Sequence, residues 1–534
     1  MEHLEVFIVV LFVSVAGLNA LARRLSVPYP IPLVIGGLVL GLMPGMPEIE
    51  LDPDLVLLIF LPPLLYSAAF FSDLHALRRD VRAISLIAVG LVLLTLLAVA
   101  VVAHAVMDLS WPVAFTLGAI VSPTDPVAAT AVMRRLGAPR RLVNVVEGES
   151  LVNDASALVA YRVAVGAALG GSFSIVDAGL EFAGAAVGGV AIGLAVGFVV
   201  GEIRRRLQDT PTELTISLLT AYAAFIPAEE LHVSGVLAAV TCGVYLGWRA
   251  PGIASAQTRL EAFALWSILV FLLNAVLFML IGLQLPVVVD GLDGRGAAEV
   301  IGYAALVCAT VIAARFAWLF TTPYAIRALD RRPQQRDRRV DARQRVVVAW
   351  SGLRGAVSMA AALAIPLETD GGAPFPDRDL ILFITFALIL VTIVGQGLTL
   401  PALIRRLGVE GDAEEEEAEE VRARLVASKA ALERLSEIEA DGRMEVAVGT
   451  LERVRRLYEF RRRRFKTRAG LLEDEDGIED RSRAYQRLLL DLYDAQRDAL
   501  VDLRNSGAIS NDVMHRVERD IDLEETRLEV DRYG

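Results

Sequence analysis

Apolar stretches long enough to cross a bilayer recur along most of this chain, and few folds tolerate that pattern. A membrane helix needs about 20 mostly apolar residues. Thirteen such stretches can be read, at residues 4–22, 30–48, 53–71, 83–107, 111–135, 142–169, 180–203, 211–227, 233–248, 261–285, 298–327, 344–367 and 378–405. In lipid every backbone N–H and C=O must find a partner inside the protein, so repeated spans of this length read as helices. The fifth, eighth, ninth and twelfth are the least regular, being short or holding Pro, Gly or charge. The expectation is an all-α polytopic membrane protein.

Charge divides the chain in two. The last 125 residues of the 534 hold 33 acidic and 23 basic side chains, whereas the first 409 hold 31 and 29. The expected organisation is a membrane domain over 1–409 and a charged, helical cytoplasmic tail over 410–534. In the tail, Val421, Leu425, Ser428, Leu432 and Leu435 keep the spacing of one helix stripe. Ile509, Val513, Val517 and Ile521 step by four, with Ser510 or Asn511 as cap. Glu414–Glu420 and Glu473–Asp480 read as solvated connectors.

Several classes of function are excluded. Cys242 and Cys308 lie in apolar runs and form neither a disulfide framework nor a paired metal motif. Five scattered histidines make no His-rich metal site. The net negative tail has the wrong sign for nucleic acid or an anionic-lipid anchor. Residues Met1 to Glu5 lack the basic start of a cleaved signal, so the first apolar run is expected to stay as a membrane helix. No cofactor is expected.

Arginine gives the orientation. Alternate loops carry Arg23–Arg24, Arg78–Arg82, Arg134–Arg141, Arg204–Arg206, Arg249 with Arg259, and a cluster from Arg327 to Arg345; the loops between are neutral or acidic, and only Arg295 and Arg378 intrude. By the positive-inside rule the N-terminus lies outside and the tail in the cytoplasm of a cell inner (plasma) membrane protein.

An ionisable side chain at the bilayer centre costs roughly 2.5–3.5 kcal/mol on insertion scales, which makes each one a functional candidate. The fifth span holds Ser122-Pro-Thr-Asp-Pro126. Each proline removes a donor and disfavours helix just before it, so this segment reads as an extended break. Asp125 there either handles an ion or caps the second half-helix, and the two roles are compatible. In the sixth span, Glu147, Ser150 and Asp154 share one helix face, with Glu149 and Asn153 beside them. Asp154 sits about 18 Å along the helix from its start, near the midplane. The competing reading for Asp154 is a helix–helix hydrogen bond, and for Glu147 an interfacial carboxylate. In the twelfth span, Gly352 and Gly355 bracket Arg354 and permit unwinding or close packing. Arg354 stays charged and calls for an anion, with Glu149 and Asp125 as candidates, either as a structural pair or in transport itself. The fifth and twelfth spans run in opposite directions, the pointer to inverted repeats around a midplane site. Spans 1–6 and 8–13 would be the repeats.

These residues resemble the monovalent cation/proton antiporter family of the sodium/proton exchanger type, in its bacterial form. The resemblance is carried by Ser122-Pro-Thr-Asp-Pro126, Gly148-Glu-Ser-Leu-Val-Asn-Asp154, Gly352-Leu-Arg-Gly-Ala-Val-Ser358 and Leu61-Pro-Pro-Leu-Leu65; the tail from Gly507 to Glu525 is similar to bacterial members too. It implies a homodimer of thirteen-span protomers, each with a dimerisation and a moving core part, whose broken fifth and twelfth spans cross near the ion. By the same resemblance Asp154 takes either a cation or a proton, with Asp125, Thr124 and Ser150 lining the site. Asn153 is the neutral neighbour that marks this group, and Glu149 with Arg354 a buried supporting pair. Na+ is the first expectation at Asp154 and Asp125, with K+ or Li+ as alternatives. Some members carry an acid where this chain has Ser67, which bears on selectivity.

Competition of proton and cation for one carboxylate, beside an apolar gate that a bare charge crosses at high cost, produces obligatory exchange, expected here to be one-for-one and electroneutral. The readings from another class are a cation channel or a membrane sensor. A channel would need a continuous pore, usually ringed by equivalent residues, and paired broken helices around one acidic centre argue against it.

Overall fold

The computed structural model describes residues 2–25, 27–43, 53–170, 175–207, 209–290, 292, 295–329, 340–409, 413–441, 448–473 and 477–533. The chain separates into two compact units, Met1–Gly411 and Asp412–Gly534. Both are helical, and the described residues hold no strand beyond a single bridge between Glu368 and Pro374.

In the first unit, six helices are long and apolar enough to cross a membrane: Val81–Met107, Ala183–Arg206, Gly235–Ile253, Ala256–Leu283, Ala297–Ile326 and Arg378–Leu407. Shorter apolar helices lie at Pro30–Gly41, Leu55–Phe70 and Trp111–Val121. Glycine lets several of them touch backbone to backbone, the usual way membrane helices gain packing without a hydrophobic drive. Pro30–Gly41 crosses Ala256–Leu283 where a Cβ on Gly37 would strike the Met279 carbonyl, and one on Gly282 the Val34 carbonyl. Helix Ile175–Arg206 meets Gly235–Ile253 the same way, with Gly189 and Gly193 against the Ser234 and Ala238 carbonyls.

Of the four least regular spans, the eighth and ninth are unbroken helices, Thr210–Glu230 and Gly235–Ile253, whereas the other two are interrupted. The fifth is two helices, Trp111–Val121 and Val127–Arg135; the twelfth is also two, Ala342–Trp350 and Ala356–Leu363. Between them in sequence, helix Arg140–Leu169 runs unbroken and stops at Gly170, whose φ of 138° favours glycine. Two π-helical turns, Leu86–Leu91 and Val391–Gln396, interrupt the fourth and thirteenth spans. The two arginines that break the alternation of basic loops are tied down. Arg295 pairs with Asp377, and Arg378 donates to the Ile365 and Leu363 carbonyls at 3.1 and 3.2 Å, satisfying the end of Ala356–Leu363.

The second unit comprises helices Ala413–Asp441, Val448–Arg468, Ile478–Asn505 and Asn511–Tyr533. The acidic run 414–420, expected to be a connector, is helical and opens the first of these. Of the second expected connector, residues 474–476 lie outside the described residues, and Ile478 already begins the third helix. The Ser510 hydroxyl accepts from the Val513 amide at 3.3 Å, so Ser510 rather than Asn511 caps the last helix. Of its expected stripe Ile521 is buried, whereas Val513 and Val517 remain about 40 % exposed. Arg497 bridges Asp522 at 2.7 Å and also Glu525, joining the last two helices.

Candidate functional site

The two prolines that break the fifth span leave carbonyls and amides for other groups to satisfy. The Asp125 carboxylate accepts from the Val127 amide at 2.9 Å, so it caps the second half-helix. The Asp125 amide in turn donates to the Leu353 carbonyl at 2.8 Å, which joins the break in the fifth span to the break in the twelfth. That approach needs glycine at 355, because a Cβ there would overlap the Asp125 carboxylate.

Arg354 does not pair with Glu149. Its guanidinium is buried against the end of helix Trp111–Val121, where Nε donates to the Val121 carbonyl at 3.2 Å and Nη2 to the Ser122 carbonyl at 3.5 Å. Nη1 donates to the Gly352 carbonyl. The last carbonyls of a helix lack intrahelical partners and carry its negative dipole end, and here they supply the anionic partner that a carboxylate was expected to provide. The Arg354 amide donates to Thr392 Oγ1 at 3.1 Å, inside one of the π-helical turns. The other π turn adjoins the first break, with the Ser122 hydroxyl reaching the Val92 carbonyl at 3.4 Å. π turns cluster at functional sites in this way.

The partner of Glu149 is Arg315, midway along helix Ala297–Leu329 and 1 % exposed. Its Nη2 donates to Oε2 of Glu149 at 2.8 Å and its Nη1 to Oε1, a bidentate fork. Nε and Nη2 also reach the Val348 carbonyl at 3.2 and 3.1 Å, near the end of helix Ala342–Trp350. Each break therefore has one arginine on the carbonyl end of its first half-helix, Arg354 on the fifth span and Arg315 on the twelfth. The sequence reading overlooked Arg315, although an arginine inside the apolar run 298–327 was a candidate by the rule applied to the others.

From this pair a directed chain of hydrogen bonds runs inward. Thr124 Oγ1 donates to Glu149 Oε1 at 3.1 Å, and Asn153 Nδ2 donates to Thr124 Oγ1 at 2.8 Å. The Thr124 hydroxyl has one proton and gives it to the carboxylate, so its other neighbour must be a donor. An amide at 153 fits that need. Asp154, one residue on, is 6 % exposed, and its Oδ1 has no hydrogen-bond partner among the described residues. Asn153 Oδ1 and the Ser358 hydroxyl are buried and likewise without one.

Asp154, Asp125, Thr124 and Ser150 line a cavity of about 410 Å³, together with Ser67, Asn274 and Ser358. Ser67 Oγ is turned to the Leu64 carbonyl at 3.0 Å, and Asn274 donates to the Val270 carbonyl at 2.9 Å. Along helix Arg140–Leu169 the cavity touches Asn144, Glu147, Gly148, Ser150, Leu151 and Asp154 and none of the later residues. It thus runs from the arginine-bearing end of that helix to Asp154 and stops. Glu147 stands at the open end, paired with Arg134 at 2.6 Å. The structure brings Asp125, Thr124, Ser150 and Asp154 onto one cavity; Glu149 and Arg354 lie behind it and serve different partners.

A sequence model of the sodium/hydrogen exchanger family, transmembrane part, matches residues 9–406. The chain is 36 % identical to an uncharacterized Na+/H+ exchanger of Mycobacterium tuberculosis, over 98 % of this chain and 96 % of that one, so the likeness includes the tail. It is 33 % identical to the Na+/H+ antiporter ApNhaP of Aphanothece halophytica, over 81 % and 80 %. In fold it is similar to the sodium proton antiporter MjNhaP1 from Methanocaldococcus jannaschii, with a TM-score of 0.60 at 20 % identity, over 76 % of this chain and 99 % of that one. The family resemblance read from the broken-span motifs and the match over nearly the whole membrane unit agree: this chain belongs to the sodium/hydrogen exchanger family and is a cation/proton antiporter, a membrane transporter rather than an enzyme.

Proposed function

We propose that the protein exchanges protons for a monovalent cation, Na+ first, by alternating access at Asp154. The observation that carries this reading is a buried carboxylate oxygen without a partner at the closed end of a polar cavity. A bare carboxylate there is buried with no hydrogen-bond donor on Oδ1, and either a proton or a cation relieves it. Asp125, Thr124 and Ser150 would complete the cation's oxygen shell, while Asn153, Glu149 with Arg315, and Arg354 hold the two breaks in place. A cavity that reaches Asp154 only from the arginine-bearing end supports an inward-facing state. The membrane unit would comprise thirteen spans in two inverted repeats, with the N-terminus outside, the tail in the cytoplasm of the inner membrane, and two copies forming a homodimer.

Because Asn153 cannot titrate, Asp154 alone supplies the exchangeable charge, and Asp125 is held as a cap. The cycle is then one-for-one and electroneutral. Reconstituted protein with a trapped pH dye and a panel of Na+, K+ and Li+ tests this directly. The expected result is proton movement driven by Na+ that is unchanged when the membrane potential is clamped at zero or at a large value. Flux far above about 10³ per second, beyond the usual turnover of protein catalysts, would favour a channel. No flux from folded protein would favour a sensor.

Potassium exchange is the second reading. It is supported by 32 % identity to a sodium, potassium, lithium and rubidium/H+ antiporter of Bacillus subtilis, over 75 % of this chain and 62 % of that one, and Ser67, where some family members have an acid, leaves the choice of cation open. A K+ rate equal to the Na+ rate in the same assay would support it.

Competition at one carboxylate also sets a pH dependence. Below the point where the site takes up its proton, each further fall of one pH unit should raise the apparent KM for the cation about tenfold, while the rate at saturating cation changes little. A KM independent of pH across that range would contradict shared occupancy.

The orientation has its own test. Cys242 and Cys308 are buried, so a single new cysteine reports its own side of the membrane. Ser110→Cys, in an exposed turn between helices, should label from outside in intact cells. Ala430→Cys, on the exposed face of the first tail helix, should label only after permeabilisation. The reverse pattern would overturn both the span count and the repeat assignment.

A further inference from the structure

A second, larger cavity of about 690 Å³ lies in the membrane unit, away from Asp154. It opens at the arginine-bearing end between helices Val81–Met107, Arg140–Leu169, Ala297–Leu329 and Ala342–Trp350, and shares no lining residue with the ion cavity. Its walls are mostly apolar, with Ile87, Leu142, Leu319 and Ile326 among them. Its charges are four arginines, Arg79, Arg82, Arg141 and Arg345, against one carboxylate, Asp80. That carboxylate is already engaged, by Arg141 at 2.9 Å and Arg79 at 3.4 Å.

Arg345 is the exception. It is 9 % exposed and lines the cavity, yet its Nε and Nη1 are buried and have no hydrogen-bond partner among the described residues. Its guanidinium lies over the rings of Phe320 and Tyr324, at 5.1 and 5.6 Å from their centres. Stacking of that kind holds a guanidinium in one plane without using its in-plane donors. A buried cation with unfilled donors is costly, and the planar fork fits the oxygens of a phosphate. Exposed Arg82 adds a second positive group at the rim.

We propose that this cavity binds the head group of an anionic phospholipid, with the phosphodiester on Arg345 and the upper part of an acyl chain along the apolar wall. Charge complementarity selects the anion, and the apolar lining selects an amphiphile over a free ion. Basic pockets between membrane helices on the cytoplasmic side are suited to such head groups. The bound lipid would brace helix Ala342–Trp350, the half-helix whose Val348 carbonyl accepts from Arg315. The assignment is independent of the role given to Asp154, because it is read from stability rather than from transport.

The test is thermal unfolding of the full chain in a neutral detergent, titrated with phosphatidylglycerol, with phosphatidylcholine of the same chains, and with inorganic phosphate. Phosphatidylglycerol should raise Tm saturably by about 3 °C or more, and the other two should not. Arg345→Gln should remove that rise. Ile326→Trp, which fills the apolar arm and leaves every charge in place, should remove it as well, and it covers the case in which Arg345→Gln does not fold. An equal rise with phosphatidylcholine, a rise with inorganic phosphate alone, or an undiminished phosphatidylglycerol effect in Ile326→Trp would each overturn the proposal.

Discussion

Asp154→Asn should reduce exchange to the background of empty liposomes and leave the fold intact. The amide has nearly the shape of the carboxylate, so the cavity and the helix keep their packing. No hydrogen bond to Asp154 Oδ1 is lost, because none is made. What disappears is the negative charge, and with it the means to hold either a proton or a cation at a buried site. The variant should elute and unfold like the parent, and even be slightly more stable, since a buried bare charge has been removed. Retained exchange would move the transported charge to Asp125. In contrast, Ser150→Ala and Thr124→Val should weaken cation binding without abolishing it, because each removes one neutral oxygen. Thr124→Val carries the further cost of breaking the chain from Asn153 to Glu149.

Arg315→Met should be the most damaging single change to folding in the membrane unit. It strands Glu149, 1 % exposed, with the Thr124 hydroxyl as its one remaining hydrogen-bond donor among the described residues. Breaking one side of a buried pair costs about 3–5 kcal/mol, a large share of the stability of a typical fold. Arg354→Met strips three carbonyls of a charged donor but leaves no opposite charge behind, so its cost should be smaller. The two effects separate in a double variant. Glu149→Gln in the Arg315→Met background removes the stranded charge and should recover much of the lost folded yield, measured by gel filtration in detergent. The same second change should not rescue Arg354→Met. If it rescued Arg354→Met and failed with Arg315→Met, the pairing of Glu149 with Arg315 would be wrong.

The partners of these two arginines mark where sequence reasoning reached its limit. The breaks themselves were legible, because Pro123 and Pro126 remove donors at fixed positions and Gly352 and Gly355 permit close approach. The face carrying Glu147, Ser150 and Asp154 followed from helical spacing alone, and all three line the cavity. The expectation that failed was the pairing of Arg354 with Glu149. Counting side-chain charges leaves backbone carbonyls out, and it was the unsatisfied end of helix Trp111–Val121 that met Arg354. That left Glu149 for an arginine 166 positions away, a distance no local pattern spans. The π turns beside both breaks were also illegible: each holds a glycine, Gly90 and Gly395, but a lone glycine in an apolar span does not specify a π turn. In the tail, the acidic run 414–420 read as a connector on charge alone, yet glutamates favour a helix N-terminus and the segment is helical.

The central claim is that one carboxylate, Asp154, is occupied by a proton or a cation and never by both. Proton release on cation binding measures this without requiring transport. Purified protein in detergent, weakly buffered near the pH where the site is half protonated, is titrated with Na+ while a pH indicator reports released protons. A control titration uses choline in place of Na+. The account predicts saturable release that falls away at higher pH, never exceeds about one proton per site, and is absent in Asp154→Asn. Release from Asp154→Asn equal to that of the parent, or two protons per cation in the parent, would contradict it.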